Sequence, residues 1–399
     1  MKKFQNKKSI LFLQKMIYLY MCFNETIVSG ERERIYIMKE AVNKKFDVAS
    51  STAIKGIAII MMMLHHCFRQ ASLYDDYTVS FQPFSEQFVG NIALIGKICV
   101  SLFAFITGYG LYLNYKKNKT TVQKWVLIRE IKVLSGYWFI WIVSGVFCQL
   151  MNQRTMDVYF EDGFWNGVVN AFVDFFGGAA LFGTKTLNGT WWYMSAAIVF
   201  VLLIPVIVAM EDYLFLVLMS VVALPRILGL EFLGNNSIYV FLTPLLLGVM
   251  SSKYDWMNRF IHWGDGTYKK WFKLFVMLVA LFASYKLYII LPTKQFWEVK
   301  WGLIPFIVIL FCSEFIIYLP ILRPILIFFG KHSMNIFMIH TFIRGYYFAD
   351  FTYSFGHFSL IVLVLLLIST GVSICIDLMK KTIRYQEFIQ MITKKIEDY

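Results

Sequence analysis

Residues 55–66 read KGIAIIMMMLHH, an apolar run that begins at Lys55 and ends at His66. The run predicts the first membrane-spanning helix of the chain. Eleven residues at 100° each bring His66 back to within about 20° of Lys55, so both side chains share one helix face. They lie about 16 Å apart along the axis, roughly half of the hydrocarbon thickness. Because ionisable side chains are unfavourable at that depth, the pair is a functional-site hypothesis.

The composition around this run is that of a polytopic membrane protein. Of the 399 residues, 58% are hydrophobic and 16% are charged, whereas soluble proteins have about 45–50% and about 25%. The mean hydropathy is +0.61. We therefore predict an all-α fold in contact with the lipid bilayer. We attribute the net charge of +13 to loops that set the topology, and we do not expect binding to nucleic acid.

About ten segments are apolar enough to predict transmembrane helices, and several are short or contain proline. Such breaks are tolerated where protein or a water-lined cavity pairs the backbone. Residues 163–183 are also apolar, but they contain Asp174 and two adjacent glycines, so we predict a re-entrant or interfacial helix on the outer side there. The predicted spans are 52–68, 91–113, 133–151, 191–210, 213–230, 237–251, 271–291, 301–319, 325–345 and 358–378.

The distribution of Lys and Arg predicts the orientation of the spans. With the N-terminus in the cytoplasm, the cytoplasmic segments carry 26 of the 38 basic residues, and the outer loops carry seven. The positive-inside rule favours this assignment. It places both termini in the cytoplasm and the segments 69–90 and 152–189 outside.

The chain divides into three predicted parts. Residues 1–45 form a basic extension with a short apolar run, residues 10–23, that no small-residue cleavage site follows. This extension is an interfacial anchor, or translation starts at Met38. Residues 46–385 form the ten-helix membrane domain, and residues 386–399 form a cytoplasmic tail.

His66 is the candidate catalytic residue. A neutral imidazole in a low-dielectric cavity suits a general base for a sugar hydroxyl. Lys55, nearer the cytoplasm, suits the phosphate of an acyl carrier as a point charge. His65 lies about 100° away on the neighbouring face and is expected to point towards protein or lipid headgroups. A snorkelling lysine and a polar helix end are the alternative interpretation of the pair.

Further candidates lie at other spans. Arg129 and Lys132 are three residues apart on an apolar helix entry, and they suit the phosphates of a nucleotide-containing donor or act only as a topology signal. Residues 188–194 read NGTWWYM, and their three consecutive aromatic residues suit sugar stacking at the outer entry of a span. These three, expected to bind the acceptor or to be structural, are Trp191, Trp192 and Tyr193.

Two buried candidates remain open between acceptor binding and a structural role. We expect Glu314 to form a salt bridge inside the bundle. His340 is eight residues from His332, which places the two rings about 80° apart, so they do not share a face closely. The six cysteines show no CxxC or metal-ligand spacing, and we expect no metal site.

These residues, taken in order, resemble the acyltransferase-3 family of bacterial membrane O-acyltransferases. The family's first-span signature, a basic residue, ten residues and then His, is similar to Lys55 and His66, with Lys where Arg is more common. The aromatic second-span pattern ending in Ser-Gly-Tyr is similar to residues 103–109, with Thr107 in place of Ser. Similar matches fall on Arg129 with Lys132, on Trp191 to Tyr193 and on the GKHSMNIFMIH run from Gly330 to His340.

The resemblance implies an activity and a location. It implies a ten-span O-acyltransferase of the bacterial cytoplasmic membrane that moves an acyl group, expected to be acetyl, from cytoplasmic acyl-CoA to a hydroxyl of a cell-surface polysaccharide. Acyl-CoA is then a co-substrate, expected to be acetyl-CoA, and no cofactor stays bound. The alternative function is a transporter or exporter of polysaccharide or its precursors. Transporters often show two similar halves, and the chain shows no internal repeat.

Overall fold

A computed structural model describes residues 44–230, 237–263 and 267–398. Apart from Lys44 and Lys45, the predicted extension 1–45 lies outside the described residues. These described residues are 82% helical and contain no β-strand, which confirms the all-α membrane fold. Seven helices are long and apolar enough to cross a membrane: α1 (Val48–Phe68), α2 (Glu86–Lys116), α3 (Val122–Asn152), α7 (Gly189–Ala209), α11 (Thr267–Ile290), α12 (Val299–Ile316) and α16 (Phe358–Thr382).

The three other predicted spans are shorter or interrupted. Residues 213–230 and 237–251 correspond to the short helices α8 (Leu214–Ile227) and α9 (Ile238–Lys253). Residues 325–345 divide into α13 (Leu322–Lys331) and α14 (Ser333–Thr341), which meet at His332. At that break, His332 contacts another helix: its Nδ1 lies 2.9 Å from the Oγ of Ser373. The shorter helices are α4 (Arg154–Phe160), α5 (Phe164–Phe175), α6 (Ala179–Phe182), α8 (Leu214–Ile227), α9 (Ile238–Lys253), α10 (Trp256–His262), α13 (Leu322–Lys331), α14 (Ser333–Thr341), α15 (Ala349–Tyr353) and α17 (Tyr385–Asp398).

Helix starts follow side-chain capping. The Asp47 carboxylate accepts a hydrogen bond from the Ser50 amide and begins α1, and the Thr121 hydroxyl does the same for the Lys124 amide in α3. Each cap satisfies one of the amides that a helix start leaves without an intrahelical partner.

The segment 163–183, predicted to be a re-entrant or interfacial helix, forms α5 and α6, neither of which is long enough to span a membrane.

Both ends of the described chain lie at one end of the bundle. The ring of Phe46 packs against Tyr109 near the end of α2, at a centroid distance of 5.0 Å. The Lys124 ammonium donates to the Glu397 carbonyl, which brings α17 to the start of α3. We call this the terminal end. The opposite end, where α1 finishes at Phe68, is the cavity end.

A buried ion cluster stabilises the terminal end. Glu314 on α12 is 5% exposed. One of its oxygens lies 2.9 Å from the Lys44 Nζ, and the other lies 3.2 Å from the Nζ of the buried Lys273. Breaking a buried ion pair is strongly destabilising, because it leaves a charge without compensation. Glu314 therefore forms the expected salt bridge inside the bundle, in surroundings that fit a structural role.

Glycine contacts set the closest helix pairs. A Cβ atom built on Gly56 of α1 would overlap the Leu326 carbonyl of α13, and one on Gly330 of α13 would overlap the Thr52 carbonyl of α1. The same reciprocal arrangement joins α2 and α9 through Gly108 and Gly248. Small residues at such contacts let backbones approach closely, which is how membrane helices gain packing energy.

Replacing Gly56 with Ala should separate α1 from α13 and destabilise the protein by about 1–3 kcal/mol, the usual effect of overpacking. The measurement is the thermal unfolding temperature of detergent-purified protein. Gly371→Ala on α16 is the matched control, because nothing lies within 4 Å of the added methyl group. Equal unfolding temperatures for both variants would show that the close contact is not needed.

Candidate active site

A cavity of about 510 Å³ opens at the cavity end of the bundle. Its walls come from the last turns of α1 and the loop after it, the middle of α2, the start of α7, and the segment from the end of α14 to Tyr353. Binding sites for small molecules have volumes of about 300–1,000 Å³. His66 lines this cavity, together with His65, Arg69, Lys97, Thr190, Trp192 and Arg344.

His66 lines the cavity, and its ring nitrogens have no hydrogen-bond partner among the described residues. Within residues 44–230, 237–263 and 267–398, no hydrogen bond or ion pair involves its imidazole nitrogens. His65 differs, because its Nδ1 lies 2.8 Å from the Ala93 carbonyl of α2. Consecutive histidines therefore have different environments, one tied to the protein and one available to a bound molecule.

His340 of α14 packs against His66. Their ring centroids are 4.8 Å apart, with the planes at 50°. His340 is completely buried, and its Nδ1 lies 2.9 Å from the Phe337 carbonyl and 3.2 Å from the Ile336 carbonyl. Carbonyl oxygens only accept, so this geometry assigns a proton to Nδ1. The contact joins two helices that are far apart in the sequence. The sequence analysis missed it, because it compared His340 only with His332.

The segment before α7 is fixed against α14. The Asn188 side chain and the Trp191 indole both donate to the Met338 carbonyl, at 3.2 and 3.0 Å. The Oδ1 of Asn188 accepts from the amide and hydroxyl of Thr190, which lines the cavity. Among the three predicted acceptor aromatics, Trp192 lines the cavity, Trp191 is buried, and Tyr193 packs on Phe337.

A buried carboxylate supports that segment from outside the spans. Asp174 at the end of α5 accepts from the Tyr159 hydroxyl at 2.5 Å, the Tyr137 hydroxyl at 3.1 Å and the Leu187 amide at 3.2 Å. Burial raises the pKa of the Asp174 carboxyl, and the hydrogen bonds oppose that rise. Leu187 directly precedes Asn188, so the interfacial helix holds the wall of the cavity.

Two arginines at the cavity were absent from our sequence predictions. Arg69 is three residues after His66, and Arg344 is four residues after His340, in a π-helical extension of α14 over Phe342–Tyr347. Both spacings put the arginine on the face of the preceding histidine. The sequence did contain a signal for them. Each arginine follows a candidate histidine by three or four residues, at the end of the span where the positive-inside rule disfavours a basic residue.

The predicted donor residues lie elsewhere. Lys55, Arg129 and Lys132 do not line the cavity. Lys55 and Arg129 are partly buried and Lys132 is exposed. Lys55 and Arg129 each lie seven residues after the first residue of their helix, about 10 Å along the axis. They are therefore at a similar distance from the terminal end, and His66 is at the other end of α1.

The described residues contain no group of three or more His, Cys, Asp or Glu side chains that could hold a metal ion. The ring of His66 lies beside those of His340 and His65, at centroid distances of 4.8 and 5.1 Å. The lining of the cavity combines imidazole rings, cationic side chains and hydroxyl groups.

This arrangement defines a multi-pass membrane protein with an imidazole facing a polar cavity. A family model described as an acyltransferase domain, the acyltransferase-3 type, matches residues 48–378. The chain belongs to this family and is an acyltransferase that transfers groups other than amino-acyl groups. Among curated proteins and solved structures, none matches the chain. The exporter alternative is set aside, because the family match identifies an enzyme.

Proposed function

We propose that the protein is an O-acyltransferase that moves an acyl group, acetyl in the simplest case, from acyl-CoA to a hydroxyl of a saccharide acceptor. The observation that carries the proposal is the unengaged imidazole of His66 in a polar cavity. Family membership supports the acyl transfer. The volume of about 510 Å³ suits a sugar unit and the acyl end of a donor together.

In the proposed reaction, His66 takes the proton of the acceptor hydroxyl. The hydroxyl oxygen attacks the thioester carbonyl carbon, a C–O bond forms and the C–S bond breaks. The imidazolium then returns its proton to the leaving thiolate, which departs as free CoA. His340 touches His66 and not the cavity, so its proposed role is to position that ring.

Replacing His66 with Ala should lower acyl transfer by about 10²–10⁴-fold, the usual contribution of a general base. Expression and membrane insertion should stay normal, because the ring makes no hydrogen bond to the described protein. Mass spectrometry of surface glycans from cells carrying each variant measures the ester acyl groups. His65→Ala is the adjacent control and should be much milder. Full acylation in the His66→Ala cells would exclude the general-base role.

We propose that the terminal end is cytoplasmic and that the enzyme is in the bacterial cytoplasmic membrane. The loop between α2 and α3 and the tail around α17 are rich in Lys and Arg, which the positive-inside rule favours on that side. A cytoplasmic donor and an outer acceptor would then reach His66 from opposite ends of the bundle.

Cysteine labelling on intact cells tests this sidedness. In a background where Cys22 and Cys375 are replaced by Ser, an impermeant thiol reagent should label Asp162→Cys, which is exposed at the cavity end. Thr120→Cys, between α2 and α3, should react only after the membrane is permeabilised. Labelling of Thr120→Cys from outside would reverse the assignment.

We propose that Lys55, Arg129 and Lys132 bind the phosphates of acyl-CoA. Two observations support this proposal: the positive charge of these side chains near the terminal end, and the resemblance of their motifs to those of the family. A CoA thioester carries several phosphate charges, and Arg or Lys side chains are the usual partners of phosphate.

The double variant Arg129→Ala/Lys132→Ala should bind acetyl-CoA at least about tenfold more weakly, because hydrogen bonds to charged groups are strong. The difference should shrink in high salt. Isothermal calorimetry of purified protein in detergent gives the affinity. Lys117→Ala/Lys119→Ala in the preceding loop is a control with the same charge change, and it should bind like the wild type. If both double variants bind alike, the donor phosphates contact other residues.

A further inference from the structure

The charge of the cavity is strongly one-sided. Arg69, Lys97 and Arg344 line it, and Asp76 is the single carboxylate among its described lining residues. Asp76 is exposed. In the part of the chain that the structure describes, neither Arg69 nor Arg344 forms an ion pair. A neutral sugar and an acetyl group carry no negative charge that would balance this excess of positive charge.

The two arginines are close enough to disfavour each other. Burial, together with the nearby charge of Arg344, lowers the pKa of Arg69. Both Nε atoms are buried without a hydrogen-bond partner among the described residues. The neighbouring Tyr353 also lines the cavity, but its hydroxyl donates to the Cys67 carbonyl at 3.1 Å and carries no negative charge. Two neighbouring guanidinium groups without a carboxylate are unfavourable unless an anion binds between them.

Their position relates them to the reaction. Arg69 follows His66 by three residues and Arg344 follows His340 by four, so each lies about one helical turn, roughly 5 Å, beyond its histidine towards the mouth. The His66 and His340 rings are in contact. A group held by both arginines therefore lies within about one sugar unit of the hydroxyl that His66 would deprotonate.

We propose that Arg69 and Arg344 together bind a carboxylate that the substrate carries beside the reacting atoms. This proposal rests on the proposed acyl transfer and adds the substrate class. The planar guanidinium matches a carboxylate through paired hydrogen bonds. The anion has two possible sources with the same chemistry: an acidic sugar of the acceptor, or the free carboxylate of a dicarboxylic acyl chain.

The first arm of the test measures binding of an acceptor probe. Purified protein in detergent is titrated with sodium glucuronate or with glucose at one ionic strength, and the shift in thermal unfolding temperature gives each affinity. Glucuronate should bind at least about tenfold more tightly than glucose. Arg69→Gln and Arg344→Gln should remove this preference. Arg226→Gln is the matched control, because its guanidinium pairs with Glu298 and does not line the cavity.

The second arm compares succinyl-CoA with acetyl-CoA by calorimetry on the same proteins. An arginine-dependent preference for glucuronate supports the proposal with the acceptor as the source of the anion. An arginine-dependent preference for succinyl-CoA supports it with the acyl chain as the source. If the wild type shows neither preference, the proposal is overturned, and this result needs no variant to fold.

The His66→Ala protein separates this proposal from the acyl-transfer mechanism. It should bind glucuronate like the wild type, since the arginines remain. If it keeps transfer activity while the arginine-dependent preference stands, the general-base role fails and the anion site survives. If it loses transfer and no preference exists in the wild type, the anion site fails and the mechanism survives.

Discussion

Close backbone contact at glycine is the constraint on which the arrangement of this bundle depends. Gly56 and Gly330 let α1 and α13 pack at a distance that any Cβ would prevent, and Gly108 and Gly248 do the same for α2 and α9. In a bilayer, apolar side chains gain little from meeting each other rather than lipid, so contact distance and polar pairing determine which helices associate. Helix α1 is held by α13 at one end, and at the other its His66 meets His340 of α14.

Polar groups are used differently at the two ends of the bundle. At the terminal end, the buried Glu314 is balanced by Lys44 and Lys273. At the cavity end, His66, Arg69 and Arg344 have no ion pair within the described ranges 44–230, 237–263 and 267–398. Unpaired polar groups are unfavourable for folding in a low-dielectric environment. Their retention beside a cavity is the pattern expected of a binding site.

Local sequence patterns predicted the fold well. The apolar runs gave the helical membrane class and all seven long helices, since hydrophobic length is a property of each segment alone. The predicted count of about ten spans is not confirmed, because the helices at 213–230, 237–251 and 325–345 are shorter or broken. At the break, His332 contacts Ser373, a partner 41 residues away, and a local pattern contains no information about such a contact.

The site was less predictable, because its geometry is made between helices. Helical periodicity put Lys55 and His66 on one face, but it could not show that Lys55 lies away from the cavity or that the ring meeting His66 belongs to His340. Periodicity along one helix compares residues such as His332 and His340, whereas the relevant neighbour lies 274 residues away from His66 in the sequence. The sequence analysis missed Arg69 and Arg344 for the same reason. Their significance follows from the absence of a carboxylate partner, and partners are a property of the folded chain. A single sequence can therefore indicate which membrane-embedded charges are unusual, while packing determines which of them face each other across a cavity.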